Sequence, residues 1–140
     1  MKCLKDVSLL AACAWSTHGQ HTAANRWLDA QVYFATCPAS EMGFLRVSMS
    51  PAYGAAFDEA NAALNGILQL PSHHFLQDDT TAERLPRDLT SRHDVTDAHF
   101  VTLASRHFVR LATLDDVLCN KDWAKGVALN PLKSELSGGA

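Results

Sequence analysis

The stretch Val95-Thr96-Asp97-Ala98-His99-Phe100-Val101-Thr102-Leu103-Ala104 has a carboxylate at a position where helical patterning expects an apolar side chain. In a helix, the residues that share a face with Asp97 are Phe100, Val101, Ala104 and Phe108. A carboxylate in line with a core-facing stripe is costly to bury unless it is paired, binds a cation or lies at an open helix end. The alternative is an ordinary first-turn acid, attracted to the helix N-terminus with Thr96 as the cap. Similar carboxylates elsewhere in the chain weigh against this alternative.

Length and composition indicate one soluble globular domain. The chain has 140 residues, of which 47% are hydrophobic and 19% are charged. A chain of this length buries roughly 68% of its unfolded surface, which is enough for one core. No apolar run approaches the roughly 18 residues of a membrane span. We therefore expect one domain over residues 1–133, a flexible tail over residues 134–140 and no membrane association.

The four cysteines, Cys3, Cys13, Cys37 and Cys119, are widely spaced and form no C-x-x-C pair. This spacing argues against a zinc ribbon or a thioredoxin-like dithiol. It favours small buried side chains in a reducing cytoplasm. The net charge of −3 argues against a polybasic nucleic-acid binder.

Hydrophobic periodicity predicts short strands that alternate with longer helices. The predicted strands cover residues 2–6, 33–37, 73–76, 110–113 and 127–130. The predicted helices cover residues 7–15, 21–31, 41–47 and 57–70, and a fifth begins near residue 96. Residues 77–94 are the most polar part of the chain, and we expect a surface helix and loop there. This alternation favours a mostly parallel sheet with helices on both faces.

Four acids occupy corresponding positions in this pattern. Asp6 and Asp115 come at or directly after the ends of predicted strands, whereas Glu41 and Asp97 begin apolar helix stripes. Ligands bind at the carboxyl ends of parallel strands, so we expect the four to converge there. Two carboxylates about 4 Å apart repel by roughly 4 kcal/mol at an effective dielectric near 20. A cation or protons must therefore offset their charge.

Oxygen ligands without cysteine or histidine suit Mg²⁺ or Mn²⁺ better than zinc. Such ions lower the pKa of a bound water and hold a phosphodiester for in-line attack. The four acids therefore point to metal-assisted phosphodiester chemistry.

Several segments together resemble the PIN-domain ribonucleases of the VapC toxin type. They are residues 6–15 (DVSLLAACAW), 35–38 (ATCP), 40–47 (SEMGFLRV), 95–98 (VTDA) and 111–115 (LATLD). The resemblance spans nearly the whole chain in the family's order. It implies a three-layer α/β/α sandwich with a central, mostly parallel sheet, here of four to five strands. It also implies a Mg²⁺- or Mn²⁺-dependent endoribonuclease that acts on RNA, with a cognate antitoxin protein encoded alongside.

The family's acidic positions match Asp6, Glu41, Asp97 and Asp115. The resemblance implies that these four are both catalytic residues and metal ligands. Thr113 matches a family hydroxyl that orients a carboxylate or a metal-bound water. Asp116 is a possible substitute ligand whose position matches less well.

Two residues depart from the family pattern. Ser8 stands where the family usually has Asn, and we expect the bracing hydrogen bond to be lost or mediated by water. Lys5 replaces an apolar strand residue, and we expect it either to pair with Asp6 or to point to solvent. These departures motivate an alternative function, a catalytically impaired PIN-like module that binds RNA or protein.

Other side chains have less specific interpretations. Arg46 could contact a phosphate of the RNA, although an exposed helix position more often carries a solubilising arginine. His18 and His21 have metal-like spacing, but their polar loop favours a structural role. Tyr53, Phe57 and the second helix suggest an exposed apolar face suited to a homodimer or an antitoxin groove.

A second alternative is a receiver-type phosphoacceptor domain, which also gathers acids at strand ends. The chain has no adjacent acidic pair after the first strand and no suitably placed lysine after the last. We therefore favour the ribonuclease.

Overall fold

Five short strands form one parallel sheet in the computed structural model, which describes residues 1–133. They are β1 (Cys3–Lys5), β2 (Phe34–Thr36), β3 (His73–Phe75), β4 (Arg110–Ala112) and β5 (Ala128–Leu129). The strand order is β3-β2-β1-β4-β5, and every neighbouring pair is parallel. The mostly parallel sheet predicted from the sequence is confirmed. The tail predicted over residues 134–140 lies outside the described residues.

Helices cover both faces of the sheet. They are α1 (Val7–Ala14), α2 (His21–Asp29), α3 (Pro38–Ser48), α4 (Phe57–Leu68), α5 (Val95–Arg106) and α6 (Asp116–Cys119). Helices α1 to α4 pack on one face of the sheet, and α5 and α6 pack on the other. This arrangement is the predicted three-layer α/β/α sandwich. No helix within residues 1–133 has the length and apolar character needed to cross a membrane.

Strands β1 and β2 are fully buried, which explains their largely apolar character, whereas the edge strand β3 is partly exposed. Along β1, Cys3 packs toward α1 to α4, whereas Leu4 packs toward α5. Each face therefore has its own apolar cluster, separated by the sheet. Cys3, Cys13 and Cys37 are buried free thiols, in agreement with the prediction.

Helix α3 begins three residues earlier than predicted. Pro38 occupies the first turn, where a missing N–H costs nothing. Ser40 lies inside that turn, and its Oγ accepts a hydrogen bond of 3.0 Å from the backbone N–H of Cys37. Ser40 therefore stabilises the helix start from within the first turn.

Both expectations for Lys5 are wrong. Its side chain is fully buried, and Nζ donates a hydrogen bond of 3.3 Å to Sγ of Cys13. The same Nζ lies 4.6 Å from the ring centre of Phe34 and 5.4 Å from that of Trp27. Strand alternation is the reason, because it points Lys5 to the sheet face covered by α1 to α4. Burial lowers the pKa of this amine.

Two further predictions around α5 are wrong. Phe108 is 94% exposed because the helix ends at Arg106 and the chain turns through a positive φ of 57° at Phe108. Residues 77–94 contain two 3₁₀ turns, Ala82–Arg84 and Arg92–Asp94, rather than a longer surface helix. Polar contacts fasten this segment to α5, since Oδ1 of Asp79 lies 3.1 Å from Nε of Arg106 and Oδ1 of Asp78 lies 2.8 Å from Nε2 of His99.

Candidate active site

Asp6 and Asp115 follow the two central neighbouring strands, β1 and β4. The chain runs from β1 outward to β2 and β3, and then returns to the other side of β1 as β4 and β5. This reversal is the switch point where parallel sheets bind ligands. Oδ1 of Asp6 accepts a hydrogen bond of 3.0 Å from Leu9 N–H, and Oδ1 of Asp115 accepts one of 3.1 Å from Leu118 N–H. Both acids are thus N-caps, of α1 and α6 respectively.

Asp97 lies in the first turn of α5. The helix begins at Val95, so Thr96 is a first-turn residue and not the predicted cap. Asp97 joins Asp6 and Asp115 in the lining of one cavity of about 410 Å³ at the carboxyl end of the sheet. Three of the four predicted acids therefore share one cavity.

Ser8 braces this site directly, and the expectation of a missing or water-mediated hydrogen bond is wrong. Its Oγ donates to Oδ1 of Asp6 at 2.7 Å and accepts a hydrogen bond of 3.2 Å from the backbone N–H of Leu114. The short side chain suffices because Ser8 lies only two residues beyond Asp6, where the helix begins. Ser8 therefore links the end of β1 to the loop that follows β4.

Thr113 supports two of the acids. Its Oγ1 accepts a hydrogen bond of 3.1 Å from the backbone N–H of Asp115. Its side chain also hydrogen-bonds to the carboxylate of Asp6. The hydroxyl thus orients Asp6 and fixes the backbone at Asp115, which is the role that the resemblance implied.

The carboxylates lack compensating positive charge. Burial raises the pKa of Asp6, although hydrogen bonds from Thr113 and Ser8 and the Leu9 N–H oppose the increase. Burial and the nearby charges of Asp6 and Asp115 raise the pKa of Asp97 to about 6. Among the described residues, the lining of this cavity contains no lysine or arginine.

The oxygen-only donor set of these carboxylates and nearby hydroxyls fits Mg²⁺ or Mn²⁺. Within residues 1–133, no three Asp, Glu, His or Cys side chains are already grouped closely enough to form a metal site. A bound ion would therefore have to draw the carboxylates closer together.

The structure does not bring Glu41 into this cavity. Oε2 of Glu41 accepts a hydrogen bond of 2.8 Å from Oγ1 of Thr36, and this hydroxyl is also 2.7 Å from Nε2 of His73. The reason is the rotation of α3, which turns Glu41 toward β2 and β3 and other residues of the helix toward the carboxylates. Glu41 is thus absent from the lining of this cavity, and its role as a ligand stays a prediction.

A second cavity of about 430 Å³ adjoins the first, and the two share Val7, Val47, Thr96 and Phe100. Arg46 lines this second cavity and has an exposed side chain. Gly43 permits close packing of α3 against α1, because a Cβ at this position would lie 2.5 Å from Cγ2 of Val7. Arg46 is thus placed beside the acids, but not among them.

Two other predicted residues have roles outside the acidic cavity. Nδ1 of His21 donates a hydrogen bond of 2.9 Å to the carbonyl of Ala12, which is a structural role. Oδ1 of Asp116 accepts one of 3.2 Å from Nδ2 of Asn130, and Asp116 is not part of the cavity lining. The substitute-ligand role of Asp116 is therefore not supported.

His18 was not predicted as a site residue, yet it belongs to the lining of the acidic cavity. Its loop follows α1 and reaches the site only through tertiary packing. No local sequence motif marks this placement.

The chain was compared with known proteins. No family model matches it. It is 40% identical to ribonuclease VapC38 of Mycobacterium tuberculosis over 121 residues, which cover 80% of this chain and 84% of that protein. It is 34% identical to ribonuclease VapC39 of the same organism over 129 residues, which cover 86% of this chain and 93% of that protein.

A solved structure supports the same fold. The crystal structure of Mycobacterium tuberculosis VapC20, a sarcin–ricin loop cleaving toxin, superposes with a TM-score of 0.61 at 16% sequence identity. The match covers 83% of this chain and 92% of that chain. From the extent and identity of the sequence matches, the chain belongs to the VapC family of ribonucleases.

Proposed function

We propose that this chain is an endoribonuclease toxin that hydrolyses RNA phosphodiester bonds with the help of Mg²⁺ or Mn²⁺. The observation that carries the proposal is the meeting of Asp6, Asp97 and Asp115, from three different elements, in one cavity at the switch point of the sheet. The similarity to ribonuclease VapC38 independently supports ribonuclease activity.

In this proposal, Asp6, Asp97 and Asp115 hold the ion. When bound, the ion supplies a water of lowered pKa and positive charge for the phosphate. Hydrogen bonds from Ser8, Leu9 and Thr113 keep the Asp6 carboxylate in one orientation, as the supporting partners of metal ligands generally do. Without an ion, the three carboxylates repel an RNA phosphate, so productive binding of RNA requires the cation.

The two departures that motivated an inactive module do not weaken the site. Ser8 makes the bracing hydrogen bond itself, and Lys5 contacts Cys13 rather than Asp6. No observation therefore favours the non-catalytic alternative over the nuclease.

Family membership also supports a cognate antitoxin and a homodimer as partners. Exposed apolar side chains are available for such contacts, since Met42 is 58% exposed and Phe57 is 51% exposed. Light scattering of the purified chain, alone and with the protein encoded beside it, tests both partners.

The test of catalysis compares three variants in an RNA cleavage assay with Mg²⁺ or Mn²⁺. Asp97→Asn should abolish cleavage, because it removes a ligand while keeping the shape of the side chain. Glu41→Gln tests the fourth predicted acid, because loss of cleavage would add Glu41 to the metal site and full activity would leave it only as a partner of Thr36. Asp122→Asn is the surface control, since this side chain is 86% exposed and pairs with Lys125.

Chelation by EDTA should stop cleavage by the wild type, and added Mn²⁺ should restore it. Metal-independent RNA binding without any cleavage by the wild type would instead support the non-catalytic module. Full activity in Asp97→Asn would remove this residue from the proposed site.

A further inference from the structure

His18 lies in the turn between α1 and α2, and backbone hydrogen bonds hold this turn in place. Its N–H donates to the carbonyl of Trp15 at 3.0 Å, and its carbonyl accepts from the N–H of His21 at 3.1 Å. The main chain therefore fixes the turn, and the imidazole ring is not needed to close it.

The ring itself has a defined orientation. Nδ1 of His18 accepts a hydrogen bond of 3.0 Å from the backbone N–H of Gln20. Because Nδ1 is the acceptor, the neutral ring carries its proton on Nε2. In the described part of the chain, Nε2 has no hydrogen-bond partner. The result is a pre-oriented N–H donor without a protein acceptor among the described residues, on a residue of the acidic-cavity lining.

The charges of the cavity make such a donor useful for RNA binding. Asp6, Asp97 and Asp115 are the charged side chains of its described lining, where His18 is the sole side chain with a nitrogen donor. No ion pair or hydrogen bond joins His18 to these carboxylates within residues 1–133. The donor is therefore available to an anionic group that enters the cavity, and a phosphate oxygen is a strong acceptor.

We infer that His18 is a substrate-contacting residue, which donates its Nε2–H to a phosphate oxygen of RNA bound beside the carboxylates. This inference rests on the proposed ribonuclease function. It assigns RNA binding to a residue that follows α1 in the sequence, whereas the proposed metal ligand Asp6 precedes this helix. His21 has no such role, because its ring is already bonded to Ala12.

Two substitutions separate the two ring nitrogens. His18→Asn keeps an acceptor near the Nδ1 position for Gln20 N–H, but its amide is too short to replace Nε2. His18→Gln places an amide N–H near the Nε2 position. We expect His18→Asn to raise KM about tenfold in cleavage of a random-sequence, single-stranded RNA pool, the typical effect of losing a hydrogen bond to a charged group. We expect His18→Gln to remain within about threefold of the wild type, because it preserves the donor.

Thermal melting and calorimetric titration with Mn²⁺ complete the experiment. Both variants should melt near the wild-type temperature and bind Mn²⁺ with unchanged affinity. His74→Leu is the matched control, because His74 is exposed on β3 and lies outside both cavities.

Several outcomes would overturn the inference. Wild-type KM in His18→Asn, or an equal loss in both variants, would exclude a role for the Nε2 donor. Weaker Mn²⁺ binding in His18→Asn would instead make His18 a metal ligand. If the wild type neither binds nor cleaves the RNA pool, the ribonuclease proposal fails and the inference fails with it. If only the comparison of the two His18 variants fails, the ribonuclease proposal stands.

Discussion

Asp97→Asn should stabilise the metal-free protein while removing its activity. Burial and the charges of Asp6 and Asp115 raise the pKa of Asp97 from 3.8 to about 6. Each tenfold change in proton affinity corresponds to about 1.4 kcal/mol, so ionised Asp97 costs at most about 3 kcal/mol in the folded state. Asp97 is partly exposed and solvent screens this interaction, which reduces the expected gain to about 1–2 kcal/mol.

The gain should depend on pH in a defined direction. Between pH 3.8 and about 6, the folded chain holds the Asp97 proton more tightly than the unfolded chain does. The wild type therefore loses stability as the pH rises through this interval. Asp97→Asn lacks this loss. Its stability advantage over the wild type should therefore be absent below pH 3.8 and complete above about pH 6.

Urea unfolding in EDTA, at several pH values across this range, measures the effect. Asp122→Asn controls for the general loss of a surface charge, and its stability should match that of the wild type. Added Mn²⁺ should then reverse the order, because it stabilises the wild type through a site that the variant lacks. If Asp97→Asn is less stable than the wild type in EDTA at pH 7, the other carboxylates do not destabilise ionised Asp97 in this cavity, and the reasoning is refuted.

Four more substitutions test other features by chemical unfolding. Lys5→Met should raise the free energy of unfolding at pH 7, because burial lowers the pKa of Lys5 in the folded chain. Below pH 10.5 the folded chain therefore binds fewer protons than the unfolded chain, so the gain should fade as the pH approaches 10.5. Ser8→Ala should cost about 1–2 kcal/mol and reduce RNA cleavage, because both of its hydrogen bonds brace the site. Gly43→Ala should cost about 1–3 kcal/mol through its clash with Val7, whereas Gly66→Ala in open space on α4 should stabilise by about 0.5–1 kcal/mol.

The sequence predicted the parts of the site that depend on chain order. Asp6 and Asp115 adjoin the ends of short apolar strands, and in a parallel sheet this position alone brings them to one edge. Asp97 was recognisable because it interrupts an apolar stripe at the start of a helix. The position of an acid at the end of its own strand and the periodicity of a helix are local properties, which explains why they could be read directly.

The features that the sequence could not reveal depend on tertiary packing. The apolar stripe below Glu41 was recognised, but the pattern does not reveal whether that face turns toward the carboxylates or toward Thr36. For Lys5, the pattern could not show that Cys13 and aromatic rings from other elements surround the amine. His18 reaches the site through a turn whose position depends on how α1 and α2 pack.

The hydrogen bonds of Ser8 also divide the proposed metal site into a fixed part and an adjustable part. Asp6 is fastened to the loop after β4 through Ser8, and Asp115 is fastened to the first turn of α6. The carboxylate of Asp97 has no hydrogen bond among the described residues. If ions of different radius occupied the proposed site, Asp6 and Asp115 would keep their positions and Asp97 would move. Selectivity between Mg²⁺ and the larger Mn²⁺ would therefore depend on the side chains around Asp97 on α5. Changes near Ser8 would weaken the binding of both ions alike.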